Sequence, residues 1–376
     1  MDVTLLAVDD QAGNAELDAF LDACPTSVTQ QTARWRDVIT AIDRDEPLFL
    51  QCRHAGRLVG VLPAYRFEGP LGAILTSVPQ PGPLGGVACD AGADREAVYA
   101  ALLEAFVGLA SARGCVLASV ITSPFWPDKA LYDRHLRPDY LLENTCQVLD
   151  LTDALDADGE LRSGSENLVR NLRRACSGLL RIDEAQTAEN VDAWYDIHAA
   201  RHTDIGATPL PKALFTGALR HLVPARKGRF FFVRAADSGD MVGGGFYIHH
   251  GTVMDALMPS VSSASAKLGP AYLLAWHSIQ WARTQGIRFY NWQPSPPDSG
   301  VARFKRQWGS RDVPYWYLTR VTGDVTRILQ SSPAAIAAGY PRHYVLPFDR
   351  IGPGASLGTG SSSRRDAWQA GGTVRS

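Results

Sequence analysis

The sequence predicts an α/β fold with mixed sheets, built as two copies of one unit in tandem. Three observations carry that expectation. Four segments recur in the same order in the two halves of the chain. In each half, apolar strand-like runs closed by Gly turns alternate with stretches of helical period. The chain has 376 residues, 45% hydrophobic and 20% charged, which is enough to bury the cores of two ordinary domains.

The first recurring segment is a helix start. WRDVITA (35–41) and WYDIHAA (194–200) share W-x-D-[VI]-x-x-A, which puts Trp, Val or Ile, and Ala on one helical face. The second is a hairpin, LFLQCRHAGRLVG (48–60) against FFFVRAADSGDMVG (230–243). Gly56 and Gly60 recur at the same spacing as Gly239 and Gly243. The third is a long amphipathic helix, Arg95–Ala112 and 269–284. Each copy is followed by a glycine, Gly114 or Gly286, the common left-handed stop. The fourth is the strand after it, CVLASVITSP (115–124) and IRFYNWQPSP (287–296). Both run from the glycine to Ser-Pro at one spacing. A helical segment and a last strand then close each half, at 145–151 and 313–321.

The halves are expected to meet within 151–164, where Asp153, Asp156, Asp158, Gly159, Ser163 and Gly164 make a polar stretch. This gives a first domain at 1–152 and a second at 153–325, with the chemistry in the second. A C-terminal extension follows at 326–351. The segment 352–376, rich in Gly and Ser, reads as a disordered tail.

Composition excludes several classes. A net charge of −2 gives no global polyelectrolyte signal for nucleic acid, though a local basic face stays open. The opening MDVTLLAVDD lacks the basic region and apolar core of a signal peptide, and no apolar run is long enough to span a bilayer. The six cysteines (24, 52, 89, 115, 146, 176) lie far apart, with no C-x-x-C pair. Neither a zinc site nor a disulfide framework is expected, and a reducing cytoplasm fits best. The nine histidines suggest no metal site, and no bound cofactor is expected. There is no G-x-S-x-G elbow and no catalytic-cysteine signature.

The order helix, antiparallel hairpins, long helix, strand, helix, strand resembles the GNAT fold. Two segments of the second half go further. NLVRNLRRA (167–175) looks like the R-x-N-[IL]-[RK]-[RK]-A segment of Fem-type transferases, and GVARFKRQWG (300–309) looks like their G-x-x-x-F-K-x-x-[WF]-G segment. PAYLLAW (270–276), Tyr290 and Asn291 lie between them, similar in kind and spacing. The resemblance covers about residues 30–323 and is sharp from about 166 to 317. It implies two tandem GNAT-like domains. It also implies transfer of an aminoacyl group from aminoacyl-tRNA to an amine, or of an acyl group from acyl-CoA as in other members of the superfamily.

Moving an acyl group to an amine requires a neutral amine, aligned reactants and a stabilised oxyanion. Lys305, between Phe304 and Trp308, is the first candidate to stabilise an oxyanion or a leaving ribose oxygen; the alternative is a solvated surface lysine. Asp255, inside the apolar run TVMDALM (252–258), is a candidate base or amine-orienting acid, or else an exposed strand position. His198, Arg201 and His202 share a helix at spacings of three and four, and His202 is kept as a minor catalytic candidate. Arg170, Arg173 and Arg174 place charge on one helix face, and Arg303, Lys305, Arg306 and Arg311 form a second cluster. Both clusters could hold phosphates of a tRNA acceptor end, CoA or a nucleotide-linked acceptor, or be solvated faces. With the resemblance added, Tyr272, Tyr290, Asn291, Arg303, Phe304 and Trp308 complete the substrate-binding candidates.

Gly243-Gly244-Gly245 is no dinucleotide fingerprint, because it precedes no helix; a bulge or close backbone approach accounts for it better. The stretch before the second long helix, SSASAKLGPA (262–271), has one glycine and a proline where acyl-CoA enzymes of this fold carry a Gly-rich pyrophosphate loop. The first half, VACDAGADR (87–95), is no better. The sequence therefore favours aminoacyl-tRNA as co-substrate, with acyl-CoA second and a non-catalytic binding protein on the same fold third. The acceptor is expected to be an amine or hydroxyl of a small or precursor molecule.

Overall fold

The chain folds into two compact units whose limits a linear reading does not reach. The computed structural model describes residues 1–42, 45–162 and 165–345. The expected tail at 352–376 and the end of the 326–351 extension lie outside the described residues. The first unit comprises Met1–Asn144 together with the chain from Pro314; the second is Thr145–Val313. The changeovers at 144/145 and 313/314 fall inside the strands Tyr140–Asp150 and Arg311–Val321, not at 152/153 and 325/326.

In the first unit, Asp2–Leu5, Leu50–His54, Arg57–Leu62 and Ala88–Cys89 form an antiparallel sheet in that order. Glu46–Pro47, Tyr65–Gly69 and Gly72–Thr76 pair antiparallel, and Gly72–Thr76 then runs parallel to Cys115–Ile121. A parallel pair needs a crossover, and the helix Arg95–Ala112 supplies it. The Asp94 carboxylate caps its start at Ala97 N–H, and Gly114 ends it at φ 65°. Val98, Leu102, Leu103 and Phe106 bury its inner face. Gly60 is needed beneath it, because a Cβ there would collide with the Val98 side chain.

The second unit repeats this plan. Leu180–Asp183, Gly228–Ala235, Met241–His250 and Val253–Val261 are antiparallel neighbours, and Val253–Val261 then pairs parallel with Phe289–Asn291. The helix Pro270–Thr284 makes the crossover and Gly286 follows it at φ 72°. Trp35 and Trp194, the landmarks of the repeat, are both fully buried. Gly244 faces the helix Ala188–Asp204, where a Cβ would meet Phe231 O at 2.8 Å and Trp194 at 2.9 Å. The register shifts one step further on, between Phe246 and Tyr247. The close approach is realised at Gly244, while the register shifts flank the three glycines, at Phe246/Tyr247 and opposite Val233/Arg234.

The closing strands are exchanged. Val148, Leu149 and Asp150, from the first half of the sequence, pair with Asn291, Tyr290 and Phe289 in the second unit. Tyr317–Val321, from the second half, pairs with Leu117–Ile121 in the first. The extension after 325 is built into the first unit as far as it is described. The Tyr340 hydroxyl donates to Gly72 O at 2.8 Å, the His343 ring stacks on Phe67 at 4.4 Å, and His343 Nε2 lies 3.0 Å from the Asp45 carboxylate.

Candidate active site

The second unit holds an apolar cavity of about 250 Å³. It arises where the parallel pair parts. Val253, Met254 and Asp255 are matched to Phe289, Tyr290 and Asn291, after which Val253–Val261 continues beside Met241–His250 alone. The other chain turns away at Gln293, which sits in the left-handed region at φ 61°. Pro259, Ser260 and Val261 wall one side, Tyr290 and Trp292 another, and Leu274 and Ala275 of the crossover helix a third. The helix Gly300–Arg306 adds Phe304 and Lys305.

Lys305 is not the solvated surface lysine of the alternative reading: it is 6% exposed. Its Nζ donates to Gln293 O at 2.7 Å and to Ser295 Oγ at 3.2 Å. The Ser295 hydroxyl donates to Gln147 Oε1 at 2.6 Å, and Gln147 Nε2 donates to Ala302 O. The ammonium thus pins the turn after Asn291 to the helix that carries it. Burial lowers its pKa to about 8. Burial also pushes the nearby Cys146 thiol well up, with the Asp255 charge adding to the effect, so that thiol stays protonated.

Asp255 is buried and not the exposed position of the alternative reading. Its Oδ1 accepts from Asn291 Nδ2 at 2.6 Å and Gln293 Nε2 at 2.8 Å. In this arrangement it orients the Asn291–Gln293 turn and does not line the cavity. Asn291 is likewise fully buried, its Oδ1 accepting from Gln293 N–H at 3.0 Å. Tyr290 does line the cavity, with its hydroxyl 2.8 Å from Ser278 Oγ. Trp308 is core, packed between Trp292 and Trp276, and it supports the cavity wall through Trp292 and Phe304.

His202 is set back from the cavity, its Nδ1 2.8 Å from the His198 carbonyl one turn earlier. The cavity is instead approached by His198. Its Nε2 accepts from Leu210 N–H, which leaves the proton on Nδ1 to donate to Ser260 Oγ at 3.1 Å. Burial lowers its pKa to about 4, consistent with that neutral form. His198 and His202 stand four apart on one helix, but among the described residues no three His, Cys, Asp or Glu side chains gather into a metal set.

The helix Glu166–Ala175 carries Arg170, Arg173 and Arg174, all exposed. Arg170 donates to Asn167 Oδ1 at 2.7 Å and Arg174 to Asn171 Oδ1 at 2.9 Å, so two of the three guanidinium groups are held in place. Asn171 in turn donates to the Tyr272 hydroxyl at 3.0 Å, and the Tyr272 ring meets the edge of Phe304 at 5.1 Å. Tyr272 therefore links the basic helix to the cavity wall. The second basic cluster is spent on its own surroundings. Arg303 donates to Asp298 O, Arg306 pairs with Asp312, and Arg311 with Asp153.

Part of the backbone of 262–270 is engaged in local turns. The N–H groups of Ser265, Ala266, Leu268 and Gly269 donate to carbonyls three residues back, and Pro270 has none. Gln293, Ser295, Gln147 and Ser260 escaped the sequence reading, since isolated polar residues near turns carry no spacing signal. His198 had one: Val191, Trp194 and His198 share a helical face, and Trp194 marks that face as buried.

The fold is the tandem GNAT fold, similar to that of FemX. A family model described as an acetyltransferase (GNAT) domain matches residues 162–306. No curated protein matches the sequence. Among solved structures, FemX superposes with a TM-score of 0.68 at 13% identity, covering 85% of this chain and 97% of FemX. A tandem GNAT protein from the clavulanic acid biosynthesis pathway gives 0.53 at 13% identity, covering 86% and 99%. The C-terminal domain of a putative lysylphosphatidylglycerol synthetase from Agrobacterium fabrum gives 0.55 at 14% identity, covering 84% and 93%. No described helix is long and apolar enough to cross a membrane.

Proposed function

We propose that this protein is an acyltransferase whose second unit moves an acyl group from a charged tRNA to an amine, or a hydroxyl, of a small or precursor molecule. The observation that carries the reading is the link from the basic helix through Asn171 and Tyr272 to the cavity that also presents Lys305. Arg170 and Arg174 offer preset guanidinium groups for the phosphates of an acceptor end, and the cavity takes the acyl group. The acceptor nitrogen forms the bond to the acyl carbon, the ester bond to the ribose breaks, and the proton lost by the amine passes to the ribose oxygen. An ammonium has three N–H donors and Lys305 spends two on Gln293 and Ser295. The third is assigned to the oxyanion or the leaving oxygen. Asp255 and Asn291 are positioning residues that hold the Gln293 turn. Charged tRNA is a cytoplasmic reagent, so the reading also puts the protein in the cytoplasm.

The use of the Ser265, Ala266, Leu268 and Gly269 N–H groups in local turns supports a tRNA donor over acyl-CoA, whose pyrophosphate uses free N–H groups at this place in the fold. The description of the matching family model as an acetyltransferase supports the acyl-CoA alternative. The test incubates the protein with a mixture of charged tRNAs and, separately, with acyl-CoAs, and follows loss of the acyl group to a panel of amines. Release from tRNA is expected. Turnover of acyl-CoA with inert charged tRNA would overturn the donor assignment. Tight binding without transfer from either would favour a non-catalytic role.

A further inference from the structure

The lining of the cavity is mainly apolar. Its wall is made by Pro259, Val261, Leu274, Ala275, Trp292 and Phe304, together with a few polar atoms, most of which already have partners, the buried Trp292 indole N–H excepted. The Ser260 hydroxyl receives His198, the Tyr290 hydroxyl meets Ser278, and two Lys305 N–H groups go to the Gln293 turn. Among the described residues that line it, the one charged side chain is Lys305, a cation. At about 250 Å³ the cavity is below the roughly 300–1,000 Å³ typical of drug-sized ligands, so it suits one side chain or a short acyl chain.

We propose that the group transferred has an uncharged, apolar side chain or acyl chain, its branched aliphatic or aromatic portion seated between Leu274, Trp292 and Phe304. The proposal deepens the acyltransferase reading and rests on it. Cationic side chains are disfavoured by the Lys305 ammonium, and anionic or strongly polar ones by a mainly apolar wall in which the one free Lys305 N–H is taken by the reacting oxygen. Glycyl and acetyl groups leave the cavity unfilled and forfeit its contacts. One methylene in an apolar pocket is worth about 10–200-fold in discrimination, so the preference is expected to be large.

The experiment measures binding, by calorimetry, of stable 3′-aminoacylamino-3′-deoxyadenosine amides carrying phenylalanine, leucine, glycine, lysine or aspartate. In parallel it measures turnover of benzoyl-, isovaleryl-, acetyl- and succinyl-CoA. Phenylalanyl or leucyl amides are expected to bind at least about 10-fold more tightly than the other three. If all the amides are alike but benzoyl- or isovaleryl-CoA is turned over at least about 10-fold faster than acetyl- and succinyl-CoA, the tRNA donor is wrong and the acyl assignment stands. If neither series favours the apolar group, the assignment falls even where transfer is observed. Val301, 56% exposed at the cavity rim, gives a variant that leaves the core intact. Val301→Glu is expected to move the lysyl-to-phenylalanyl affinity ratio at least about 10-fold toward lysyl, and an unmoved ratio would overturn the placement of the acyl group.

Discussion

Lys305 Nζ donates to the backbone carbonyl of Gln293 at 2.7 Å, so a buried ammonium holds the turn that opens the second unit's cavity. One group therefore has two tasks. It fixes the left-handed Gln293, and in the proposed reaction its remaining N–H serves a reacting oxygen.

Lys305→Met is expected to lower kcat about 100-fold near pH 7, the usual cost of losing one oxyanion donor. In the wild type, kcat should fall as pH rises through about 8, where the ammonium loses its proton. The stability signature has the opposite sign. The folded pKa of about 8 lies below the unfolded value of 10.5, so between these pH values the unfolded chain binds more protons. Wild type should gain about 3 kcal/mol on the Met variant between pH 8 and pH 10.5, by urea denaturation. An equal pH response in both proteins would refute the burial of the charge.

His198 gives an acid limb. Its folded pKa of about 4 lies below the unfolded 6.5, so stability falls as pH drops from 6.5 to 4 while the unfolded chain takes up the proton. His198→Gln should remove about 3 kcal/mol of that loss, read as the difference in denaturation free energy between pH 7 and pH 4. Comparison with the wild type is needed because burial lowers His249 and His277 as well.

Arg170 and Arg174 should act on donor binding and not on the chemical step. The double change Arg170→Ala, Arg174→Ala is expected to raise KM for the phosphorylated donor roughly 10-fold or more, with kcat nearly unchanged. It should also flatten the dependence of log KM on log salt by one to two phosphate contacts, or about 0.7 for each on a single strand. A fall in kcat at constant KM would contradict this division of labour.

Gly244→Ala tests the close approach under Trp194. The added Cβ meets a backbone carbonyl at 2.8 Å and the indole at 2.9 Å, neither a flexible chain end. A loss of about 1–3 kcal/mol is expected by thermal or chemical denaturation. Gly56→Ala, with open space around it, should lose less and do so through its φ of 81° alone.

The tandem was legible because its landmarks are local. Buried Trp35 and Trp194, turn glycines at positive φ and helix-stop glycines are needed wherever the unit occurs, so they repeat with the unit. The strand exchange was not legible, because alternation says that 145–151 and 313–321 are strands but not which edges they join. Phe304-Lys305 was legible only through family likeness, since an isolated lysine carries no sign of burial. Asp255 was legible as an acid in an apolar strand, but its role depended on the amides of Asn291 and Gln293 folding back onto one carboxylate oxygen. The pair His198 and His202 shows the same limit. Spacing put both on one helix, and only the burial of Trp194 one turn before His198 picks the inner of the two.

The exchanged strands set an order for synthesis on the ribosome. Proteins with successive domains usually complete the N-terminal one first as the chain emerges. Here the second unit is contiguous from Thr145 to Val313, whereas the first waits for Pro314 and the residues after it. The unit that begins the chain is thus the last to hold all its parts, and until Tyr317–Val321 has left the exit tunnel the edge of Cys115–Ile121 stands unpaired on that side.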